Sequence, residues 1–226
     1  GLTFADDDLT QALSVIRNIG LQMEADMNSS TQKVNTQKGI IFLMGLSLFA
    51  CGYMFGRQDM FSDELFRQVI KQICRDLTSK ELGKNDQAAA THGEETYRKY
   101  GASGARGEAE DGFPMVFEFG LPELVRSGQL NDETMLKAFL AIAAHNQDTN
   151  ILYRSNPQVL EEFKSLSFDT LNQFTADNLA KLEKFCAGVN ISPGGSADLL
   201  AVSIFQYFLR DWHVDLSLDS LLKTYI

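Results

Sequence analysis

The chain has 226 residues, 44% hydrophobic and 22% charged, a composition that fits a folded globular protein and excludes a disordered or collagen-like one. Twenty basic against 30 acidic residues give a net charge of -10, which speaks against nucleic-acid binding and obliges any anionic substrate to find a local cationic pocket or a divalent metal. Cys51, Cys74 and Cys186 are far apart and form no CxxC pair, so a zinc or disulfide scaffold is not expected and a reduced, cytoplasmic compartment is.

The first residue is Gly1 rather than Met, and the sequence is expected to be a trimmed piece of a longer product. Leu9, Leu13, Ile16, Ile19 and Met23 predict a first helix over about 9–27. After a polar break, Gly39 to Gly56 runs eighteen residues without a charge. That barely reaches the length of a membrane span, and four small residues dilute it, so the expectation is a fully buried central helix. Ser62 is a natural N-cap for a third helix, with Asp63 and Glu64 in its first turn and Leu65, Phe66, Val69, Ile70, Ile73 and Leu77 along one face.

From about 82 to 112 the chain is polar and glycine-rich, which reads as a functional or floppy loop. Residues 113–119 are short and aromatic, with no decided state. Asn131 or Asp132 caps a helix to about His145, and Asn156-Pro157 opens another. Thr175 caps a third that Gly188 stops, and a last apolar helix follows from Ala197. About seven helices and no alternating strands predict an all-α protein, a single-domain helical bundle over 1–226 around the apolar helix at about 39–56.

Four polar clusters border these helices. The first holds Glu24 and the run Asn35-Thr36-Gln37-Lys38-Gly39, where a lysine and a helix N-terminus together favour a phosphate oxygen. The second surrounds Arg106 and Glu108 with glycines; the arginine can grip phosphate and the acid can serve as acid, base or ligand. The third is His145-Asn146-Gln147-Asp148-Thr149-Asn150 with Arg154 following. Asp148 and Asn150 offer oxygens of the kind that suit Mg²⁺. The fourth, Ser192-Pro193-Gly194-Gly195-Ser196-Ala197-Asp198, turns into a helix and can cradle phosphate on backbone amides. Each has a plain alternative: an ordinary cap at Asn35 or Thr36, a surface loop around Arg106, a polar helix end at His145, a dipole partner at Asp198. Shared chemistry links them, because each pairs a carboxylate with Gly, Ser, Thr, Asn, Lys or Arg at a helix end, as a metal–nucleotide site requires.

The runs VNTQKGIIF, YGASGARGEAEDGFP, QDTN with Arg154, and NISPGGSADLLA resemble the signature blocks of the triphosphoribosyl-dephospho-CoA synthases, in order, from about Glu24 to Ala201. Those enzymes make the prosthetic-group precursor of citrate lyase and malonate decarboxylase. Two departures stand out. Gln37 occupies the place of a histidine in the family's NTHKG run, and no N-terminal PGLVD-type block is found.

The resemblance implies that ATP and 3′-dephospho-CoA are joined at the 2′-hydroxyl with loss of adenine, the triphosphate being retained. It implies a triphosphate held with Mg²⁺; Glu24, Asp148 and Asp198, each at or near a helix end, are expected to approach one another as its ligands, one of the three standing a step back from the ion, with Glu108 and Arg106 catalytic. Substrate contacts would come from Asn35, Thr36, Lys38, Gly39, Asn150, Arg154, Ser192, Gly194, Gly195 and Ser196. Lys38, Arg106 and Arg154 would converge on the Gly194-Gly195-Ser196 turn. Partnership with, or fusion to, a phosphoribosyl-dephospho-CoA transferase is also expected, and neither nucleic acid nor membrane is. Two other readings stay open on the residues alone: a Mg²⁺-dependent nucleotide hydrolase using the same acids, and a non-catalytic helical interaction module.

Overall fold

Capping side chains set most helix starts. Ser62 Oγ accepts the Leu65 N–H at 3.2 Å, Asn156 Oδ1 that of Val159 at 3.0 Å, and Thr175 Oγ1 that of Asn178 at 3.3 Å. Asn131 and Thr134 answer each other's backbone N–H in a capping box. These caps stand where the sequence predicts them. The computed structural model describes residues 1–4, 8–31, 37–83 and 91–211. Among these, after one 3₁₀ turn at Leu9–Gln11, the helices are α1 (Ala12–Ser30), α2 (Lys38–Gly56), α3 (Asp63–Ile73), α4 (Leu77–Glu81), α5 (His92–Tyr100) and α6 (Gly104–Glu110). A π-helical turn, Met115–Gly120, leads into α7 (Leu121–Ser127), α8 (Asp132–Ala143), α9 (Thr149–Arg154), α10 (Pro157–Asn172), α11 (Ala176–Gly188) and α12 (Gly194–Asp211). No strand occurs among the described residues, and the fold is all-α.

Two apolar clusters lie under these helices. The first gathers Leu43, Leu46 and Phe49 of α2 with Phe66 and Ile70 of α3, Phe113, Val116, and Leu199 and Val202 of α12. The second gathers Ile151 and Leu152 of α9 with Leu160 and Phe163 of α10, Leu182 and Ile191. Helix α8 serves both, sending Ile142 to the first and Leu140 and Ala143 to the second.

Helix α2 departs from the expected fully buried core helix. It packs on α1, α3, α6 and α12, yet only 39% of its apolar stretch is buried and Leu48 is 57% exposed. Most of its other residues are buried or half-buried between the four neighbouring helices, so the helix is largely covered without being sealed off. Its small residues do act as predicted. Gly45 lies against Ile16 of α1, and Gly20 of α1 against Ile41, so the pair approaches closely.

The polar stretch 82–112, read from sequence as a loop, instead contains α5 and α6. Thr91 and Glu94 form a capping box on α5, and Gly101 ends it at φ +72. The undecided aromatic stretch is the π turn, entered through Phe113 at φ +59. Helix α11 runs through Gly188; the left-handed residue that closes it is Asn190, φ +53.

Candidate active site at converging helix N-termini

Asp148 is the centre of the candidate site. It is 1% exposed and N-caps α9, with Oδ1 accepting the N–H of Asn150 at 3.0 Å and of Ile151 at 3.4 Å. Its Oδ2 accepts from α12, taking the Ser196 N–H at 2.8 Å and the Ser196 hydroxyl at 2.9 Å. The Asn146 side chain donates to Ser196 Oγ at 3.0 Å. One carboxylate therefore caps two helices. Burial pushes the Asp148 pKa above the ordinary value, against these donors, which pull it down.

The glycines make this junction possible. A Cβ on Gly195 would stand 3.3 Å from all three atoms of the Asp148 carboxyl group. A Cβ on Gly194 would meet Asn150 Nδ2 at 2.7 Å. On α2, a Cβ on Gly39 would fall on the Asp198 carboxylate. The first turns of α2, α9 and α12 thus meet around two acids. Gly104, φ +55 at the start of α6, abuts Thr149 and brings a fourth helix start to the rim. Helix N-termini carry partial positive charge, so their meeting suits an anionic ligand.

Asp198 differs from Asp148. It has no hydrogen bond or ion pair among the described residues. Burial, and then the charge of Asp148, raise its pKa to about 7. A carboxyl group so placed is short of a positive partner.

Glu24 sits near the end of α1 and pairs with Lys38 at the start of α2, at 3.4 Å. Among the described residues no three of His, Cys, Asp and Glu group closely enough to hold a metal ion. The expected meeting of Glu24, Asp148 and Asp198 in one coordination sphere is therefore corrected: Asp148 spends its oxygens on backbone and hydroxyl donors, and Glu24 on Lys38.

The three predicted cations differ in their surroundings. Arg106 Nε binds Glu81 Oε2 at 2.8 Å, and Arg17 binds the same carboxylate. Arg154 is exposed on the last turn of α9, at the far end of the helix from Asp148. Lys38 adjoins the junction through its neighbour Gly39, and Arg106 follows Gly104, at the junction's rim, by two residues. Ser192 is exposed, its carbonyl accepting the Gly194 N–H at 2.9 Å. Asn35 and Thr36 lie outside the described residues.

Glu108 is on helix α6 rather than on a loop. Its Oε2 accepts the Met115 N–H, the first of the π turn, at 3.1 Å. Burial raises its pKa to about 7, with Asp111 and Glu118 pushing the same way and Arg67 opposing. Its charged neighbours are thus Asp111, Glu118 and Arg67, not the pair Asp148 and Asp198. His145 donates through Nδ1–H to the Ala141 carbonyl at 2.9 Å and stacks on Phe119, as its helix-end position suggests.

Sequence reasoning missed Asn146 as a member of the site and Glu81 as the partner of Arg106. Asn146 was visible beside Asp148; Glu81 carried no signal, being 25 residues away. A cleft between α7, α8 and α10, lined by Glu123, Arg126, Asn131, Glu133 and Lys137, contains none of the candidate residues. Its charges are answered within it, Arg126 by Glu123 at 2.7 Å and Lys137 by Glu133 at 2.5 Å.

The chain is similar to the 2-(5''-triphosphoribosyl)-3'-dephosphocoenzyme-A synthase of Pectobacterium atrosepticum, 36% identical over 211 residues, which are 92% of this chain and 70% of that protein. It is also 34% identical to Protein CitXG of Leuconostoc mesenteroides over 218 residues, 91% of this chain and 46% of that protein. No solved structure matches it significantly. The family ATP:dephospho-CoA triphosphoribosyl transferase matches residues 3–216, a span that takes in every helix end of the site; the chain belongs to that family.

Proposed function

We propose that this chain transfers the triphosphoribosyl group of ATP to the 2′-hydroxyl of 3′-dephospho-CoA and releases adenine. Family membership makes the chain a transferase and supports both substrates. The observation that carries the reading at the level of residues is the junction of α2, α9 and α12. There, helix N-termini surround Asp198, a carboxyl group with no partner among the described residues, in a chain of net charge -10. Nothing observed favours hydrolysis at phosphorus.

Mg²⁺ fits this junction. Mg²⁺ is commonly held by one or two carboxylates plus substrate phosphates, so a three-acid cage is not required. Asp198 would hold it, with Glu24 close by on Lys38; Asp148 would instead fix the two helix starts. When bound, the ion would neutralise the triphosphate and offset the charge of Asp198. The backbone N–H groups at Gly39 and Gly195 are suited to the phosphate oxygens, while that of Gly194 is held by the Ser192 carbonyl.

The reaction breaks the bond from the ribose C1 of ATP to adenine N9 and forms one from that carbon to the attacking oxygen. The hydroxyl loses a proton and adenine gains one, so no other reactant is needed. Glu108 suits the exchange. With a pKa near 7 it can take or give a proton at neutral pH, and among the described residues its side chain accepts from Met115 alone. Water at the same carbon would waste ATP, so substrate must displace it.

A reduced, cytoplasmic setting suits the three free cysteines, of which burial pushes Cys51 and Cys74 up to about 12. The 46% share of the Leuconostoc protein supports an arrangement in which such a domain is joined to a further one, of which a phosphoribosyl-dephospho-CoA transferase is the proposed case.

Mass spectrometry of products from ATP, dephospho-CoA and Mg²⁺ tests the reading. Free adenine with an intact triphosphate on the acceptor is expected; ADP, AMP or pyrophosphate would overturn it in favour of hydrolysis. Glu108→Gln should lower adenine release about 10²–10⁴-fold while Mg-ATP binding persists. Full turnover in that variant would remove Glu108 from the mechanism.

A further inference from the structure

Tyr153 of α9 and His92 of α5 stack face to face, ring centroids 3.7 Å apart and planes 20° from parallel. Neither ring belongs to an apolar cluster. Tyr153 is 41% exposed and His92 is exposed, whereas the two preceding residues of α9, Ile151 and Leu152, are core.

The pair is rigidly mounted and well placed. His92 is the first residue of α5, whose start is fixed by the Thr91–Glu94 capping box. Tyr153 follows Asn150 by three positions and Thr149 by four, so all three share one side of α9. Asn150 abuts Gly194 at the start of α12, and Thr149 abuts Gly104 at the start of α6. Tyr153 therefore stands one helical turn from the acid-and-glycine junction. Five residues of α-helix from Asp148 rise about 7–8 Å. That is on the scale of the sugar that separates a nucleobase from its phosphates.

We propose that the Tyr153–His92 stack is a platform for an adenine ring of a substrate whose phosphates lie at the junction of α2, α9 and α12. The inference rests on the proposed use of adenine nucleotides and adds where the base is held. Two aromatic rings already parallel offer an outer face to a third, and every purine has the π-face to use it. Both ATP and dephospho-CoA carry adenine, and the chemistry of the platform is common to the two.

The experiment measures equilibrium binding of ATP, dephospho-CoA and inorganic tripolyphosphate, each with Mg²⁺, to the full chain and to Tyr153→Ala, His92→Ala and Tyr153→Phe. Tyr153→Ala should weaken one adenine ligand by roughly tenfold or more, the scale of one base–aromatic stack. His92→Ala should weaken the same ligand. The affected ligand identifies which adenine sits there. Tyr153→Phe should bind as the unaltered chain does, and tripolyphosphate binding should be unchanged throughout, which also reports an intact fold. Unchanged affinity for both adenine ligands in Tyr153→Ala would overturn the proposal, as would an equal loss of tripolyphosphate affinity. Adenine release by the unaltered chain is scored separately. Normal release with unaltered Tyr153→Ala binding sinks the platform alone, and absence of release sinks the proposed reaction.

Discussion

At the scale of single residues, two carboxyl groups hold protons that ordinary ones would lose. Glu108 and Asp198 are both raised to about 7, from 4.5 and 3.8, chiefly by burial. The folded chain then binds these protons more tightly than the unfolded one. Their contribution to stability is fully present below the ordinary carboxylate range and is lost as pH rises toward 7, beyond which it stays level. Thermal unfolding between pH 4 and 8 should show this as a smaller fall in Asp198→Asn than in the unaltered chain. Saturating Mg²⁺ should restore part of the loss at pH 7 and above in the unaltered chain and less in Asp198→Asn. Equal pH slopes in the two proteins would deny Asp198 its raised pKa. Gly39→Ala is a second residue-scale test. Its added carbon falls on the Asp198 carboxylate, so Mg-ATP affinity should drop while Gly188→Ala, whose Cβ meets nothing, changes little. Titration calorimetry compares the two.

At the scale of elements, α12 carries a polar group with nothing to bind. Gln206 is 0% exposed, and neither its amide nitrogen Nε2 nor its carbonyl oxygen Oε1 has a hydrogen-bond partner among the described residues. An unanswered buried amide costs about 1–3 kcal/mol, so Gln206→Leu should stabilise the fold. A chain of this size gains roughly 2–4 °C in Tm per kcal/mol, which differential scanning calorimetry resolves. A lowered Tm would mean that the amide has a partner in solution. For α2, partial burial against four other helices leads to the expectation that the protein stays dispersed without detergent, checked by light scattering. The sequence announced helices whose starts carry a cap and whose faces repeat, such as α3 and α10. It did not announce α5 and α6, which are short, rich in glycine and charge and without an apolar stripe, although the Thr91–Glu94 capping box of α5 is a local signal. Nor did it announce the π turn, whose extra residue per turn leaves no periodic mark. In the site, Asp148 and Ser196 were legible as members because each lies in a polar run at a helix start; that Asp148, expected as a metal ligand, would bond Ser196 and cap both helices was not, since the two are 48 residues apart. The pairing of Arg106 with Glu81 was not, because it depends on α4 and α6 packing together.

At the scale of the whole molecule, the double cap at Asp148 bears on how the chain comes apart. Helix α9 belongs to one apolar cluster through Ile151 and Leu152, and α12 to the other through Leu199 and Val202. One buried carboxylate fastens the first turn of each. The two halves are thereby made to melt as one. Asp148→Ala would strand four donors and remove the fastening at a cost on the order of 3 kcal/mol. Helix α8, which lines both clusters, would remain as the second tie. The calorimetric transition should therefore widen, its van't Hoff enthalpy falling below the calorimetric one, rather than divide cleanly in two. A transition equally sharp but merely shifted to lower temperature would show that α8 alone keeps the halves together. Cooperativity of unfolding in this fold would then be a property of its apolar packing, with no share belonging to a charged group.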